Sequence, residues 1–431
     1  MKFIHTADIH LDSPLLGLAA YADAPLQALR TATRDAFSAL VDEAVTRAVD
    51  FMVIAGDLYD GSWKDYNTGQ YFVRQMARLR EADIPVYLLF GNHDAESEMT
   101  RRLPLPDNVV VFGSRQASSH RIEPLRVALH GQSFAHAATL DNLALGYPAP
   151  LPGWFNIGVL HTALEGNAVH ARYAPCSLVE LQARGYDYWA LGHVHEHEVL
   201  SDAPWVVFPG NLQGRHIGET GPRGAVLVEV DDAGQVSLER LIVDVLRWQR
   251  LVVDVAGAAD MPAVLVHTGQ ALAEVLAAQD GAQPLVLRVT LTGRCPAHGQ
   301  LFGQELALRE AVLAQAAALA DQRLWIEKLQ LQTQPPAEPA ALDDGSTAAE
   351  RADAVHDLQA LLAGVEQDEA FMQSLTEDLQ QLAAKAPPEL LLALPELAAV
   401  RSGELAGLVQ AVVPSLLAQL AAPAPMDSAQ R

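Results

Sequence analysis

Along the first half of the chain, short runs of consecutive apolar residues alternate with stretches in which apolar residues recur every three or four positions. That alternation predicts an α/β fold. Phe3-Ile4 reads as a strand, and Phe37, Leu40, Val41, Ala44, Val45 and Ala48 fall on one face of a helix. Phe51 to Ala55 is a buried strand, Gln70 to Leu79 is helical, and Val86 to Phe90 and Val109 to Phe112 are strands. The following region is richer in strands: Val127 to His130, Ile157 to Leu160, Tyr186 to Leu191, Trp205 to Phe208, Ala225 to Val230 and Leu238 to Val243.

From about Arg250 the order becomes strand, helix, strand, helix, strand. Leu251 to Val253, Leu285 to Leu291 and Leu324 to Leu331 are the strands, with helices over about 261–278 and 304–320 between them. This pattern predicts a small separate domain. Residues 334–347 combine three prolines, two adjacent aspartates and a glycine with almost no large apolar side chain, as a linker does. Beyond it, Leu358 to Leu382 and Leu405 to Leu420 each carry an apolar helical face, with Pro414 expected to kink or split the second helix. The expected domains are therefore 1–248, 249–333, a linker 334–347, and a helical C-terminal region 348–431.

Composition narrows the class. Half of the 431 residues are hydrophobic and 19% are charged, which fits a chain with real cores and excludes wholesale disorder. The two cysteines, Cys176 and Cys295, stand far apart and outside any CxxC, so the expected compartment is the reducing cytoplasm. No stretch predicts a membrane span. A net charge of −24 argues against tight autonomous DNA binding, because an acidic surface repels a polyanion, but it leaves DNA chemistry open.

The candidate chemistry sits where apolar runs stop. Asp8-Ile9-His10 follows the first strand, Gly56-Asp57-Leu58-Tyr59-Asp60 the second, and Gly91-Asn92-His93-Asp94 the third. His161 ends Ile157 to Leu160, and Gly192-His193-Val194-His195 ends Tyr186 to Leu191. In open α/β sheets such ends meet at one rim. If the D-x-H and H-x-H segments are extended, residues i and i+2 project to one side and each pair can reach one cation. Each piece alone has a bland alternative: a solvated turn, a core histidine, an ordinary loop. Five together, in this order and all at strand ends, do not arise by chance.

The set resembles the calcineurin-like metallophosphoesterase superfamily. Over about residues 1–248 it is similar to the SbcD-type, YhaO-like branch of DNA repair exonucleases. The segments His5 to Asp12, Tyr188 to His195 and Phe208 to His216 carry that resemblance. It implies an αββα sandwich of β-sheets flanked by helices, followed by a small α/β cap domain that orients DNA and by the helical region. It implies one metal held by Asp8, His10 and His195, a second by Asn92, His161 and His193, and Asp57 bridging both. The nitrogen and oxygen donors suit Mn, Fe or Zn, and the resemblance tips the choice to Mn(II).

By the same resemblance His93 contacts the scissile phosphate or protonates the leaving oxygen, with adjacent Asp94 orienting its ring and Asp60 standing behind the ligands. Arg215 and His216 are candidate phosphate contacts, although Arg215 could equally pair with Glu219. The expected activity is a Mn-dependent DNA exonuclease or endonuclease working with an SbcC-like coiled-coil ATPase. The acidic C-terminal region, with 15 Asp/Glu against 4 Lys/Arg from Gln334 onward, is a candidate attachment point. Whether its helices bind that partner, a second copy of the chain (a homodimer) or their own core is left open. The competing readings are a different metallophosphoesterase, acting on phosphoproteins, nucleotides or cyclic nucleotides, and an inactive scaffold. The protein-phosphatase branch expects Arg-Gly after the second motif and GNHE at the third, whereas this chain has Asp60-Gly61 and GNHD.

Overall fold

The structure is a computed structural model. It describes the chain except residues 16–25, 61–65, 96–103, 165–172, 280, 282, 321–322, 337–357, 359–360, 363, 384–394, 404 and 422–431. The described chain divides into two compact units, Met1–Gln249 with Gly281–Val286, and Arg250–Asp280 with Leu287–Arg431.

The first unit is built on two six-stranded sheets. One contains β1 (Lys2–Thr6), β2 (Phe51–Ala55), β3 (Val86–Leu89), β4 (Val109–Val111), β11 (Gly224–Val230) and β12 (Val236–Ile242), in the order β12-β11-β1-β2-β3-β4. The other contains β5 (Ser118–Ile122), β6 (Val127–Gly131), β7 (Phe155–His161), β8 (Tyr188–Gly192), β9 (Glu198–Asp202) and β10 (Trp205–Phe208), in the order β5-β6-β7-β8-β10-β9.

The sequence of β2 shows why its neighbours stack as they do. All five of its residues are buried, because alternate side chains serve two different cores. Phe51, Val53 and Ala55 join Phe3, Leu129, Ile157, Val159, Tyr188 and Val226 between the two sheets. Met52 and Ile54 face the opposite way, onto Phe37, Leu40 and Val41 of helix α1 (Leu26–Thr46) and Phe72 and Met76 of α2 (Tyr66–Glu81). A third cluster, with Leu160, Trp189, Leu191 and Val206, covers the outer face of the second sheet and takes in Leu181 from a short helix, Leu178–Ala183. The layers are therefore helix, sheet, sheet, helix, the architecture expected.

Among the elements that escaped the sequence pattern are two strands and a short helix of the first unit. β5 and β9 are edge strands with mixed or exposed faces, so they carry no continuous apolar run, and the Leu178–Ala183 helix is too short to show a period. β1 through β4 run parallel, as do β6, β7, β8 and β10. Their C-terminal ends therefore open at a common rim.

The second unit carries most of a three-stranded sheet, β13 (Arg247–Asp254), β14 (Leu285–Arg294) and β15 (Leu324–Gln334), with β14 in the centre. Leu287, Val289 and Leu291 are buried at every second position. The helices Met261–Ala277 and Glu305–Leu319 bury Val264, Thr268 and Leu272, and Leu308, Val312 and Ala316, each set at a spacing of four. The greater part of the expected linker, 337–347, lies outside the described residues. Further on, helices Glu369–Ala383, Pro395–Ser402 and Ala406–Ala421 gather Met372, Leu375, Leu379, Val400, Leu405 and Leu408 into a small apolar cluster. Pro414 does not split the last helix, which runs unbroken from Ala406 to Ala421. No described helix is long and apolar enough to cross a membrane.

Candidate metal centre

The rim is shaped by backbone that departs from strand geometry just past the strand ends. β1 stops at Thr6, and Asp8 and His10 then take φ of 49° and 45°. After β2, Asp57 has φ 51°, and after β8, His193 has φ 99°. The Asp8-Ile9-His10 segment is therefore not extended, and the pair does not share a side for the reason the spacing suggested. Instead the loops after β1 and β2 are zipped together: the Asp8 amide donates to the Gly56 carbonyl at 3.0 Å, His10 to Asp57 at 3.1 Å and Leu11 to Leu58 at 2.9 Å. Left-handed backbone at a non-glycine residue costs roughly 1–3 kcal/mol, and such residues concentrate at functional sites.

Two glycines make the close approach possible. A Cβ on Gly91 would lie 2.3 Å from the Asp57 carboxylate, and one on Gly192 would lie 2.0 Å from the Ala55 carbonyl oxygen. Neither strand end can come this near with any larger residue.

All seven residues expected to hold metal line this rim. Ligand atoms of Asp8, His10 and His195 lie within 4.8 Å of one another, and so do those of Asp57, His161 and His193. The Asn92 side-chain oxygen is 2.9 Å from His161 Nε2, which adds it to the second group. Asp57 Oδ2 is 3.4 Å from His161 Nε2 and 3.9 Å from His10 Nε2, so one carboxylate reaches both. His193 and His195 fall in different groups, so the H-x-H segment does not converge on a single point.

The chemistry of the set fits a pair of divalent cations. His161 Nδ1 is 2.9 Å from the Ala55 carbonyl oxygen, so it donates there and leaves Nε2 as the atom that faces the centre. His195 Nδ1 is 2.7 Å from Glu219, which leaves its Nε2 only 3.2 Å from His10 Nε2. Two imidazole nitrogens facing each other beside buried carboxylates form a donor set that positive charge completes. Electrostatics point the same way. Burial alone would disfavour a charge on His161, yet Asp57 and Asp8 override it and raise the pKa to about 9. Burial likewise works to raise Asp57, but the neighbouring imidazoles, His161 first, hold it well below the ordinary carboxylate range. Burial raises Asp8, while burial and the Arg215 guanidinium push His10 down to about 3.

His93 stands at the edge with its side chain 39% exposed, open to a substrate. Its backbone N–H donates to Asp57 at 3.0 Å, and its ring is 5.0 Å from that of His10. The carboxylate beside its Nδ1 is Asp60, at 3.4 Å, rather than Asp94. The expected Asp94–His93 pairing is corrected here. Residues 92–95 form a helical turn, and adjacent residues on a helix diverge by about 100°. Asp94 turns inward and accepts the amides of Leu58, Tyr59 and Gly91 at 3.2, 3.0 and 3.0 Å. Burial and the Asp57 carboxylate raise its pKa to about 7, against those three donors. Asp60 accepts the Ser13 hydroxyl at 2.8 Å and also lies 3.6 Å from His10 Nδ1.

Arg215 lies beside this edge. Its guanidinium reaches Glu219 at 3.3 Å, Ser13 at 3.3 Å and Asp60 at 3.9 Å. The pairing with Glu219 and the position at the rim thus occur together. His216 is more exposed, with Nε2 3.5 Å from Glu219 and Nδ1 accepting the Gly218 amide. Sequence reasoning named Glu219 only as a possible partner of Arg215 and missed its contact with His195. Its only signal is a lone acidic residue four positions after Arg215, which has no local pattern to distinguish it.

Comparison with known proteins agrees with this geometry. Residues 1–197 match the calcineurin-like phosphoesterase family, and residues 248–334 match the middle domain of metallophosphoesterase YhaO. The chain is 35% identical over 300 residues to the uncharacterized metallophosphoesterase YhaO of Bacillus subtilis, covering 69% of this chain and 72% of that one. It is 27% identical over 292 residues to the DNA double-strand break repair protein Mre11 of Methanopyrus kandleri, covering 60% of each chain. The Archaeoglobus fulgidus protein of the same name is 38% identical over 233 residues, covering 49% of this chain and 50% of that one. The chain thus spans half to three-fifths of these two archaeal relatives. With two six-stranded sheets between helices, a rim of clustered histidine and carboxylate ligands, and this match to YhaO, the chain belongs to the calcineurin-like metallophosphoesterases, in their YhaO family.

Proposed function

We propose that this chain hydrolyses phosphodiester bonds in DNA, as an exonuclease or endonuclease, with two divalent cations of which Mn(II) is the preferred one. The observation that carries the reading is the pair of ligand groups joined by Asp57, with the half-exposed His93 ring beside them. One cation would be held by Asp8, His10 and His195, the other by Asn92, His161 and His193, and Asp57 would serve both. Such a pair supplies Lewis-acid stabilisation of the phosphoryl oxygens and a water of lowered pKa.

The protein's own groups do the rest. His93 donates a hydrogen bond to the scissile phosphate or a proton to the leaving oxygen, and Asp60 faces its Nδ1 and sets the ring. Arg215 offers a guanidinium to a non-bridging oxygen, with His216 further out. The names of the archaeal relatives support DNA as substrate. On this reading residues 249–333 form the domain that orients the duplex, and the acidic helical region 348–431 attaches an SbcC-like ATPase.

The test is degradation of end-labelled duplex DNA by the full chain with Mn(II), set against hydrolysis of p-nitrophenyl phosphate under the same conditions. Metal-dependent loss of the DNA label is expected. Rapid monoester hydrolysis with intact DNA would instead assign the chain to phosphomonoesters, and no turnover of either would make it a scaffold.

A further inference from the structure

Two of the inward-facing imidazoles are fixed from behind by different kinds of acceptor. His161 Nδ1 meets a backbone carbonyl, a neutral dipole, and the residue is fully buried. His195 Nδ1 meets the Glu219 carboxylate at 2.7 Å, and its ring remains partly open to solvent. A carboxylate behind an imidazole fixes the tautomer and makes the opposite nitrogen a stronger donor to a cation.

Glu219 is itself held on both oxygens. Oε1 takes the His195 ring and the Arg215 guanidinium, while Oε2 takes the Arg215 amide at 2.7 Å and the Asn211 side-chain amide at 3.0 Å. It is buried, 5% exposed. The Arg215 guanidinium and amide and the Asn211 NH2 can only donate, so Glu219 accepts from all three and presents an acceptor to His195 Nδ1.

We infer that Glu219 is a positioning residue: its carboxylate keeps the proton of His195 on Nδ1 and so sets the cation affinity of the Asp8–His10–His195 position selectively over the Asp57–Asn92–His161–His193 position. This rests on the two-cation reading above.

The hydrogen-bond inventory makes the inference sharp. In Glu219→Gln the side chain keeps its shape but must present one oxygen and one NH2. With its oxygen toward the Arg215 amide and the Asn211 side chain, its NH2 faces His195 Nδ1, which must then accept, and the Arg215 guanidinium loses this acceptor. The ring proton moves to Nε2, the nitrogen that faces His10. In Glu219→Ala the carboxylate is gone, and a water in the vacated space can accept from Nδ1 and keep the tautomer. A merely structural role ranks the two the other way, because alanine removes more contacts.

The experiment titrates metal-stripped full-length protein with Mn(II) and reads the histidine tautomers of the metal-free protein by 15N NMR. Wild type is expected to bind two equivalents, with the His195 proton on Nδ1. Glu219→Gln is expected to bind one equivalent as wild type does and the other about 100-fold more weakly, with the His195 proton on Nε2; Glu219→Ala should lose only about 10-fold at that same position. Thermal unfolding should rank the variants oppositely, with alanine the less stable. Unchanged tautomer in Glu219→Gln, equal weakening of both positions, or alanine binding more weakly than glutamine would overturn the inference. If wild type binds fewer than two Mn(II), the two-cation reading fails, and the tautomer measurement, made without metal, still decides the role of Glu219.

Discussion

Gly192→Ala is the smallest change that should disable the centre without removing any ligand. Gly192 closes β8, pairs with His161 across to β7, and accepts the Thr162 amide at 3.0 Å. An added Cβ would lie 2.0 Å from the Ala55 carbonyl oxygen and 2.9 Å from His161 Nδ1, whereas real Cβ contacts essentially never fall below 3.0 Å. The difference, 3.0 minus 2.0, requires about 1 Å of separation between the ends of β2 and β8. That oxygen is backbone and is also the acceptor that fixes the His161 ring, so the movement cannot be absorbed by a flexible side chain. Overpacking of this kind typically costs ~1–3 kcal/mol, and the strained hydrogen bond adds to it, for a total of about 3 kcal/mol. For a unit of this size that lowers Tm by roughly 6–12 °C. A 1 Å displacement at a reacting centre can cost about 10²-fold in rate, which is the loss expected in Mn(II)-dependent turnover. Gly113→Ala is the control, because its added Cβ meets nothing within 4 Å. Calorimetry and turnover kinetics read these two effects, and a Mn(II) titration reads the integrity of the site. If Gly192→Ala melts with wild type and binds Mn(II) as tightly, the close approach of β2 and β8 does not govern the site.

Four further outcomes are expected. His93→Ala should keep both cations yet lose about 10²–10⁴-fold in turnover, the usual contribution of a positioned proton donor; metal analysis and kinetics on one preparation check it, and an unchanged rate would remove His93 from the reaction. Asp57→Ala should lose metal and activity together, and retention of two tightly bound cations would show that this carboxylate does not bridge. Asp94→Asn turns an NH2 toward backbone donors and should cost about 1–3 kcal/mol in urea unfolding; wild-type stability would mean the three amide bonds are dispensable. Chelation should abolish turnover and lower Tm, while Mn(II) restored at 100 times Kd should return about 2.7 kcal/mol; a Tm insensitive to Mn(II) would argue against a site completed by cations.

Much of this molecule was written locally. Phe51 to Ala55 and Val86 to Leu89 are continuous apolar runs because helices and a second sheet cover them on both faces, and such runs identify parallel strands without any alignment. The polar residues that interrupt them, Asp8, Asp57, Asn92, His161 and His193, mark the ends, and parallel strand ends share a rim. Pattern along the chain therefore determined the α/β class and the list of candidate ligands, while the sandwich was implied by the family resemblance.

Tertiary structure alone decided how those residues are used. The left-handed turns at Asp8 and His10 follow from pairing with the β2 loop, some 48 residues away in sequence. The partner of His93 is Asp60 because a helical turn directs Asp94 inward, and the partner of His195 is Glu219 because the loop after β10 meets the segment that follows β8. Periodicity reports which side of an element is buried. It carries no record of which distant donor meets which acceptor, since hydrogen-bond geometry is fixed only when separate segments are brought within about 3 Å of one another.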